Sequence, residues 1–266
     1  MATEDTTMDR QLGHVSSETN DMTPIRPLFP HQKDALNWVK TRSLGGHYGG
    51  VALFMEMRLG KTKVVIELLK PPLYSRILVV APLTVLTAWQ NELKAEQQNY
   101  FMLMGTKHQR MLHWDLTKNM AGWFLINYEG LLSCENLAFK PWDAVVVDES
   151  TRIKNPKAMI TRLLNHKDAF PQNKTRIILS GKPAPESPMD YFEQFRFISK
   201  HFMKFNNFWH FRDTCFFQIP NRYEWLPKPQ WKHTIKDYVQ KNSFILSRKQ
   251  TNMGNKKFYE VRTVPM

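Results

Sequence analysis

Apolar runs and helical stripes alternate along most of this chain. Phe29 to Val39 carries Leu36 and Val39 on one face and predicts a helix. Gly45-Gly46 and Gly49-Gly50 then punctuate the sequence, and Val51 to Met55 reads as a short buried strand. A loop leads into a helical stretch from Lys61 to about Leu69, stopped by Pro71-Pro72 because proline lacks the N–H that would continue the helix. Arg76 to Ala81 predicts a strand, Thr84 to Glu96 a helix, and Trp123 to Ile126 a strand followed by a helical turn through Leu131. Trp142 to Val147 and Thr175 to Leu179 are two further strands, with Pro156 to Leu164 helical between them. Continuously apolar strands must be covered on both faces, so the pattern predicts an α/β fold with a mostly parallel sheet sandwiched by helices. In such open sheets ligands sit beyond the carboxyl ends of the strands.

From Tyr191 the character changes. Nine of the seventeen Phe residues fall between Phe192 and Phe217. Phe202, Phe205, Phe208 and Phe211 recur every third residue and predict a helical packing stripe, a commoner use than a base-stacking platform. Pro220, Pro227 and Pro229 mark loops around Trp225 and Trp231. The expected organisation is a tail over residues 1–22, a core lobe over 23–200, and a basic, aromatic-rich helical appendage over 201–266.

Composition narrows the class. At 42% hydrophobic and 12% aromatic residues, the 266-residue chain can bury a substantial core. Residues 1–22 are polar, with five acids against Arg10 alone, and predict a loose tail without the apolar stretch of a signal peptide. No apolar run approaches the length of a membrane span. Cys134 and Cys215 have no metal-ligand spacing and are too few for a secreted disulfide framework, so a cytoplasmic location is expected. The formal charge is +13, and from His201 onward there are twelve bases against four acids. A field of that sign favours a polyanion, nucleic acid being the commonest in a cytoplasm; the alternative is a basic but solvated surface.

The candidate chemistry begins at the end of the first strand. Val51 to Thr62 reads as strand, loop and helix, ending in Gly60-Lys61-Thr62. Loop and helix N–H groups would point at phosphates, and the helix dipole adds positive potential there. Lys61 would reach the β and γ phosphates of ATP, and the Thr62 hydroxyl would ligate Mg²⁺. The first glycine of the usual loop would fall at Met55, and a lone GKT also occurs by chance. Ala144 to Ser150 supplies the second half, a buried strand ending in Asp148 and Glu149. Asp148 would hold the magnesium, and Glu149 would orient or deprotonate the attacking water.

Asp148-Glu149-Ser150-Thr151-Arg152-Ile153-Lys154-Asn155 resembles the DEAHRIKN box of the Snf-type branch of superfamily two helicases, with Ser150 for Ala and Thr151 for His. The other motifs of that family follow in order. Leu28 to Gln32 resembles its glutamine motif, which implies that Gln32 reads the adenine edge. Met57-Arg58-Leu59-Gly60-Lys61-Thr62 resembles its MGLGKT, with Arg58 in place of a glycine. Ala81 to Leu86, with Pro82 and Thr84, followed by Trp89 and Glu92, resembles the segment gripping the DNA backbone. Trp89 reads equally well as an anchor on a helix face. Asn127-Tyr128-Glu129 resembles the next DNA-contacting turn, and Lys154 would add a cation beside it. Ser180 and Gly181, in Leu179 to Pro183, resemble the LTGTP that couples hydrolysis to movement, with Lys182 for Thr. Phe244 to Lys249 resembles the exit segment toward a second lobe, and the arginine-bearing loop is similar to that of bacteriophage or other mobile-element members, which would mean a host cytoplasm.

The resemblance implies a RecA-like ATP-binding lobe of a DNA-dependent ATPase or translocase acting on duplex DNA. Nothing after Arg248 resembles a second nucleotide-binding half. The expectation is therefore slow hydrolysis until a second helicase lobe or partner chain supplies an arginine finger, whose absence costs on the order of 10³ to 10⁵ in turnover. A single-lobe module that acts by holding ATP and DNA, or a protein, is the alternative.

Overall fold

The computed structural model describes residues 26–42, 49–171, 175–220, 222 and 224–251. Helix α1 (Pro30–Arg42) leads to strand β1 (Gly49–Met55), α2 (Lys61–Leu68), β2 (Arg76–Ala81) and α3 (Leu83–Ala95). There follow β3 (Tyr100–Met102), α4 (Lys107–Thr117), β4 (Gly122–Asn127), α5 (Tyr128–Ser133), β5 (Ala144–Asp148), α6 (Met159–Leu164) and β6 (Thr175–Leu179). The remainder comprises α7 (Tyr191–Ser199), α8 (Phe208–Cys215), β7 (Phe216–Gln218), β8 (Trp225–Pro227), α9 (Pro229–Asn242) and β9 (Phe244–Leu246).

Seven strands form one sheet in the order β3-β4-β2-β5-β6-β1-β9, and every pairing in it is parallel. Both faces are covered, which explains the continuously apolar strands. On β2 and β5, Ile77, Val79, Ala144 and Val146 pack into one core, while Leu78, Val80, Val145 and Val147 pack into the other. The parallel register brings the carboxyl ends of β1, β2, β5 and β6 to one edge of the sheet, where the predicted motifs sit.

Three details differ from the sequence reading. β3 and α4 were not anticipated; β3 is only three residues long, and α4 announces itself by a capping box in which Thr106 accepts from the Gln109 N–H. The phenylalanine stripe is not one helix. Phe202 and Phe205 exchange backbone hydrogen bonds in a tight turn, and α8 starts only at Phe208, where the Asn207 carboxamide caps it. Positive φ at Lys200, Met203 and Lys204 bends the chain before that cap. Finally, Phe244 to Leu246, within the expected exit segment, forms an unanticipated edge strand beside β1. The rings still pack: Phe202 meets Phe211 and Tyr238 edge-on at 5.3 and 5.0 Å, joining this region to the core of the sheet.

Candidate functional site

The loop between β1 and α2 is built on left-handed backbone. Leu59 N–H donates to the Glu56 carbonyl at 3.3 Å and closes a turn, in which Arg58 lies at φ 67. Gly60 follows at φ 72 and opens α2 without any side-chain cap. The first-turn amides of α2 are therefore left for another acceptor, and phosphate oxygens are a natural one. Glycine is needed at position 60 for two reasons. Its backbone conformation disfavours a side chain, and an added Cβ would lie 2.0 Å from Gln32 Nε2.

Gln32 is 5% exposed and packs on this loop. Its Oε1 accepts from the Phe29 N–H at 2.9 Å, and its Nε2 donates to the Gly60 carbonyl at 3.5 Å. His31 Nε2 donates to the Leu59 carbonyl at 3.1 Å. A cleft of about 500 Å³ opens here, lined among others by Phe29, Gln32, Arg58, Leu59 and Gly60. It lies on one side of the loop. A second cleft, of about 360 Å³, lies on the other and is lined by Met57, Glu149, Gly181, Lys182 and Arg248 among others.

Lys61 is the first residue of α2. Its ammonium donates to the Met55 carbonyl at 2.8 Å and to the Glu56 carbonyl at 3.5 Å. Burial lowers its pKa, while Asp148 and Glu149 act in the opposite direction. The Asp148 carboxylate, buried at the end of β5, is held at both oxygens. Oδ1 accepts from the Glu149 N–H and Oδ2 from the Trp89 indole, each at 2.8 Å. Burial raises its pKa, and those two bonds and Lys61 counter the shift. Glu149 sits at φ 50 and ψ 55, an uncommon conformation for a residue with a side chain and one often found at functional sites. Burial and then Asp148 raise its pKa, with Lys61 opposing. The donor set suits a hard cation: a buried carboxylate at Asp148, a hydroxyl at Thr62 in the first turn of α2, and no competing soft ligand among the residues named.

The remaining predicted residues divide. Ser180 and Gly181 abut the loop: an added Cβ on Gly181 would lie 3.4 Å from the Met57 nitrogen, and Ser180 Oγ accepts from the Lys182 N–H at 3.1 Å. Pro82 forms the N-cap of α3, with Thr84 exposed in its first turn. Asn127 and Tyr128 are buried, so neither side chain is offered to a surface ligand. The Asn127 amide donates to Glu129 at 2.9 Å, and the Tyr128 hydroxyl donates to the Asp148 carbonyl at 2.6 Å. Lys154 is engaged within the chain, by Glu186 at 2.6 Å and Asp190 at 3.6 Å.

Sequence reasoning passed over Gln194. Its amide nitrogen donates to the carbonyls of Pro183 and Asp190, both at 2.6 Å, and its oxygen accepts from the Ser150 hydroxyl at 2.6 Å. It thus joins the residue after Asp148-Glu149 to the turn after β6. No local signal marks it, because a glutamine in an amphipathic helix reads as surface.

The family model of the SNF2-related domain matches residues 31–224, most of the described chain. The chain belongs to the SNF2-related domain family. It is similar to the Zorya protein ZorD of Escherichia coli O139:H28 (strain E24377A / ETEC), 28% identical over an alignment of 204 residues that covers 64% of this chain and 18% of that protein. It is also similar to the DNA excision repair protein ERCC-6-like 2 of Mus musculus, 32% identical over 184 residues, covering 56% of this chain and 12% of that protein. This SNF2-related domain thus spans less than a fifth of either relative's length. Among solved structures, the Sulfolobus solfataricus SWI2/SNF2 ATPase core in complex with dsDNA matches with a TM-score of 0.66 and 24% identity, over 84% of this chain and 45% of that one. That likeness establishes the RecA-like parallel-sheet fold of the SNF2-related domain. Among the described residues, no helix is long and apolar enough to cross a membrane.

Proposed function

We propose that this domain is the ATP-binding lobe of a DNA-dependent ATPase that translocates on duplex DNA. The observation that carries the reading is the convergence of Lys61, Asp148 and Glu149 at one sheet edge, close enough for each to shift another's pKa. The backbone N–H groups of Met57, Arg58, Leu59, Gly60, Lys61 and Thr62, with the Lys61 ammonium, hold the phosphates in this reading, and Gln32 reads the base from the first cleft. Lys61 leaves the Met55 and Glu56 carbonyls for the β and γ phosphates. Thr62 and Asp148 would hold magnesium, which would supply neutralisation of phosphate charge. Glu149, with its pKa raised toward the range of a useful base, orients the attacking water and accepts its proton.

DNA lies along the exposed turns that follow β2 and β4, at Pro82 and Thr84 and around Glu129. Asn127 and Tyr128 act from beneath, as the supports of that turn. The Tyr128 bond to the Asp148 carbonyl supports a direct link between a DNA-facing turn and the magnesium ligand. Ser180 and Gly181 contact the phosphate loop and carry the nucleotide state onward through Gln194. Efficient turnover further requires a second lobe to bring an arginine to the γ phosphate, from elsewhere in a longer chain or from a partner.

The test is ATP hydrolysis by a protein containing both lobes, with and without duplex DNA. DNA-stimulated turnover that is lost in Lys61→Ala and in Glu149→Gln is the expected result. Absence of stimulation rejects translocation. Biological activity that survives Glu149→Gln but not Lys61→Ala would instead indicate a module that acts by nucleotide occupancy.

A further inference from the structure

We infer that Arg248 is a positioning residue for the phosphate loop, which it braces from the segment following β9, tying nucleotide binding to that segment. The inference rests on the nucleotide-binding reading of Gly60-Lys61-Thr62.

Edge strand β9 carries Arg248 to the loop. Leu246 pairs with Met55, and the Glu56 N–H donates to the Leu246 carbonyl at 3.0 Å. Two residues on, the Arg248 guanidinium donates twice to the Met57 carbonyl, from Nε at 3.1 Å and Nη2 at 2.9 Å. Its backbone N–H donates to Glu56 Oε2 at 3.1 Å. The base of this arm is stiffened by the Ser247–Gln250 capping box.

The carbonyl that Arg248 takes is the informative one. Glu56 to Leu59 is a hydrogen-bonded turn whose third residue, Arg58, has positive φ while Met57 does not. That is the type II pattern, which normally requires glycine at the third position. The resembled motif has a glycine there, and this chain has arginine. The unstrained alternative, type I, differs mainly by a flip of the Met57–Arg58 peptide. Such a flip would turn the Met57 carbonyl away from Arg248 and break both guanidinium bonds. Charge-assisted bonds to that oxygen therefore hold the turn in the form its sequence disfavours.

Orientation matters because the peptide is planar and trans. With the Met57 carbonyl facing Arg248, the Arg58 N–H points away from it, free for another acceptor. Lys61 cannot replace this brace. Its ammonium rests on the Met55 and Glu56 carbonyls and must leave them to meet a phosphate. Arg248 then still holds the Met57 carbonyl after Lys61 has left.

The experiment measures ADP–Mg²⁺ and adenosine binding by titration calorimetry in the wild-type chain, Arg248→Ala, Arg248→Lys and the double variant Arg58→Gly/Arg248→Ala. Arg248→Ala should weaken ADP about ten-fold and leave adenosine unchanged, since adenosine does not use the loop amides. Arg248→Lys, with one reaching donor instead of a fork, should recover part of the loss. Arg58→Gly should restore ADP binding without the brace, because glycine tolerates the turn. Hydrogen exchange over residues 244–251 should slow with ADP in the wild type and not in Arg248→Ala, as reciprocal coupling requires. Equal losses for ADP and adenosine, or no rescue by Arg58→Gly, would overturn the inference. A wild-type chain that binds adenosine but not ADP rejects the phosphate-loop reading itself, a failure visible before any variant is made.

Discussion

The indole nitrogen of Trp89 donates to Oδ2 of Asp148 at 2.8 Å, joining the helix after β2 to the carboxylate at the end of β5. Trp89 is fully buried and stacks at a tilt on Trp123, 6.0 Å between ring centres. Its ring anchors the helix, the second of the two sequence readings, and its N–H holds the carboxylate, which neither reading contained. The bond also matters for charge, because it helps hold the Asp148 pKa down against burial.

Trp89→Phe keeps an aromatic ring, though a smaller one, and removes the donor. The expected result is a further rise in the Asp148 pKa and a loss of about 1.5–3 kcal/mol in stability, the usual scale for a bond to a charged group. Magnesium titrations of nucleotide binding at two pH values provide the check. The deficit of the variant should be larger at the lower pH; equal deficits would mean the bond does not govern ionisation.

Glu149→Gln tests the sign of a charge effect. Burial, then Asp148, raises the Glu149 pKa, so the folded chain keeps this proton to higher pH than the unfolded chain does. Below the ordinary carboxylate range both states are protonated and nothing is lost. As pH climbs from that range through the raised pKa, the folded state bears the buried charge and stability falls. The variant should melt above the wild type at about pH 8, with the gap closing toward about pH 4. Melting curves that run parallel across the range would contradict this.

Gly60→Ala introduces a Cβ at φ 72, within 2.0 Å of Gln32 Nε2. The left-handed backbone alone costs about 1–2 kcal/mol, and Gln32 must leave its place. A lower melting temperature together with weakened ATP binding is expected. Unchanged affinity in calorimetry would show that the Gln32 contact with the loop is dispensable.

Tyr128→Phe removes the hydroxyl that donates to the Asp148 carbonyl, a phenol that burial keeps protonated. In a two-lobe protein the expected loss is in DNA-stimulated turnover, by several-fold, with ATP affinity retained. An equal fall in basal and stimulated rates would make Tyr128 a packing residue only.

Lys63 and Glu96 form an ion pair between α2 and α3, 4% and 3% exposed. Lys63→Met should cost about 3–5 kcal/mol by leaving the buried Glu96 carboxylate with only the exposed Arg26 at 3.8 Å, and adding Glu96→Leu should recover most of it. Chemical denaturation of the single and double variants measures both. A single variant as stable as the wild type would show that water reaches the pair.

The strand residues were legible because each buried strand is apolar on both faces, as in Leu78 and Val79, and the motifs because Gly60-Lys61-Thr62 opens a helix and Asp148-Glu149 ends a strand. Local pattern therefore determined the parallel α/β class, the loop that opens α2 at Gly60 and the acidic pair that ends β5. It misread the phenylalanine run, since a three-residue spacing cannot reveal that Asn207 caps a helix after a turn at Phe202 and Phe205. It also misjudged Tyr128, because a residue at the end of a strand can point inward or outward and only packing selects. The bonds of Trp89, Gln194 and Arg248 were beyond its reach for the same physical reason. Each joins segments far apart in the chain, Arg248 reaching back 191 residues to Met57. Sequence alone determined which groups could meet a nucleotide, because backbone conformation and helix ends are local. Which side chains hold those groups in place was decided only when the parallel sheet brought its carboxyl ends to one edge.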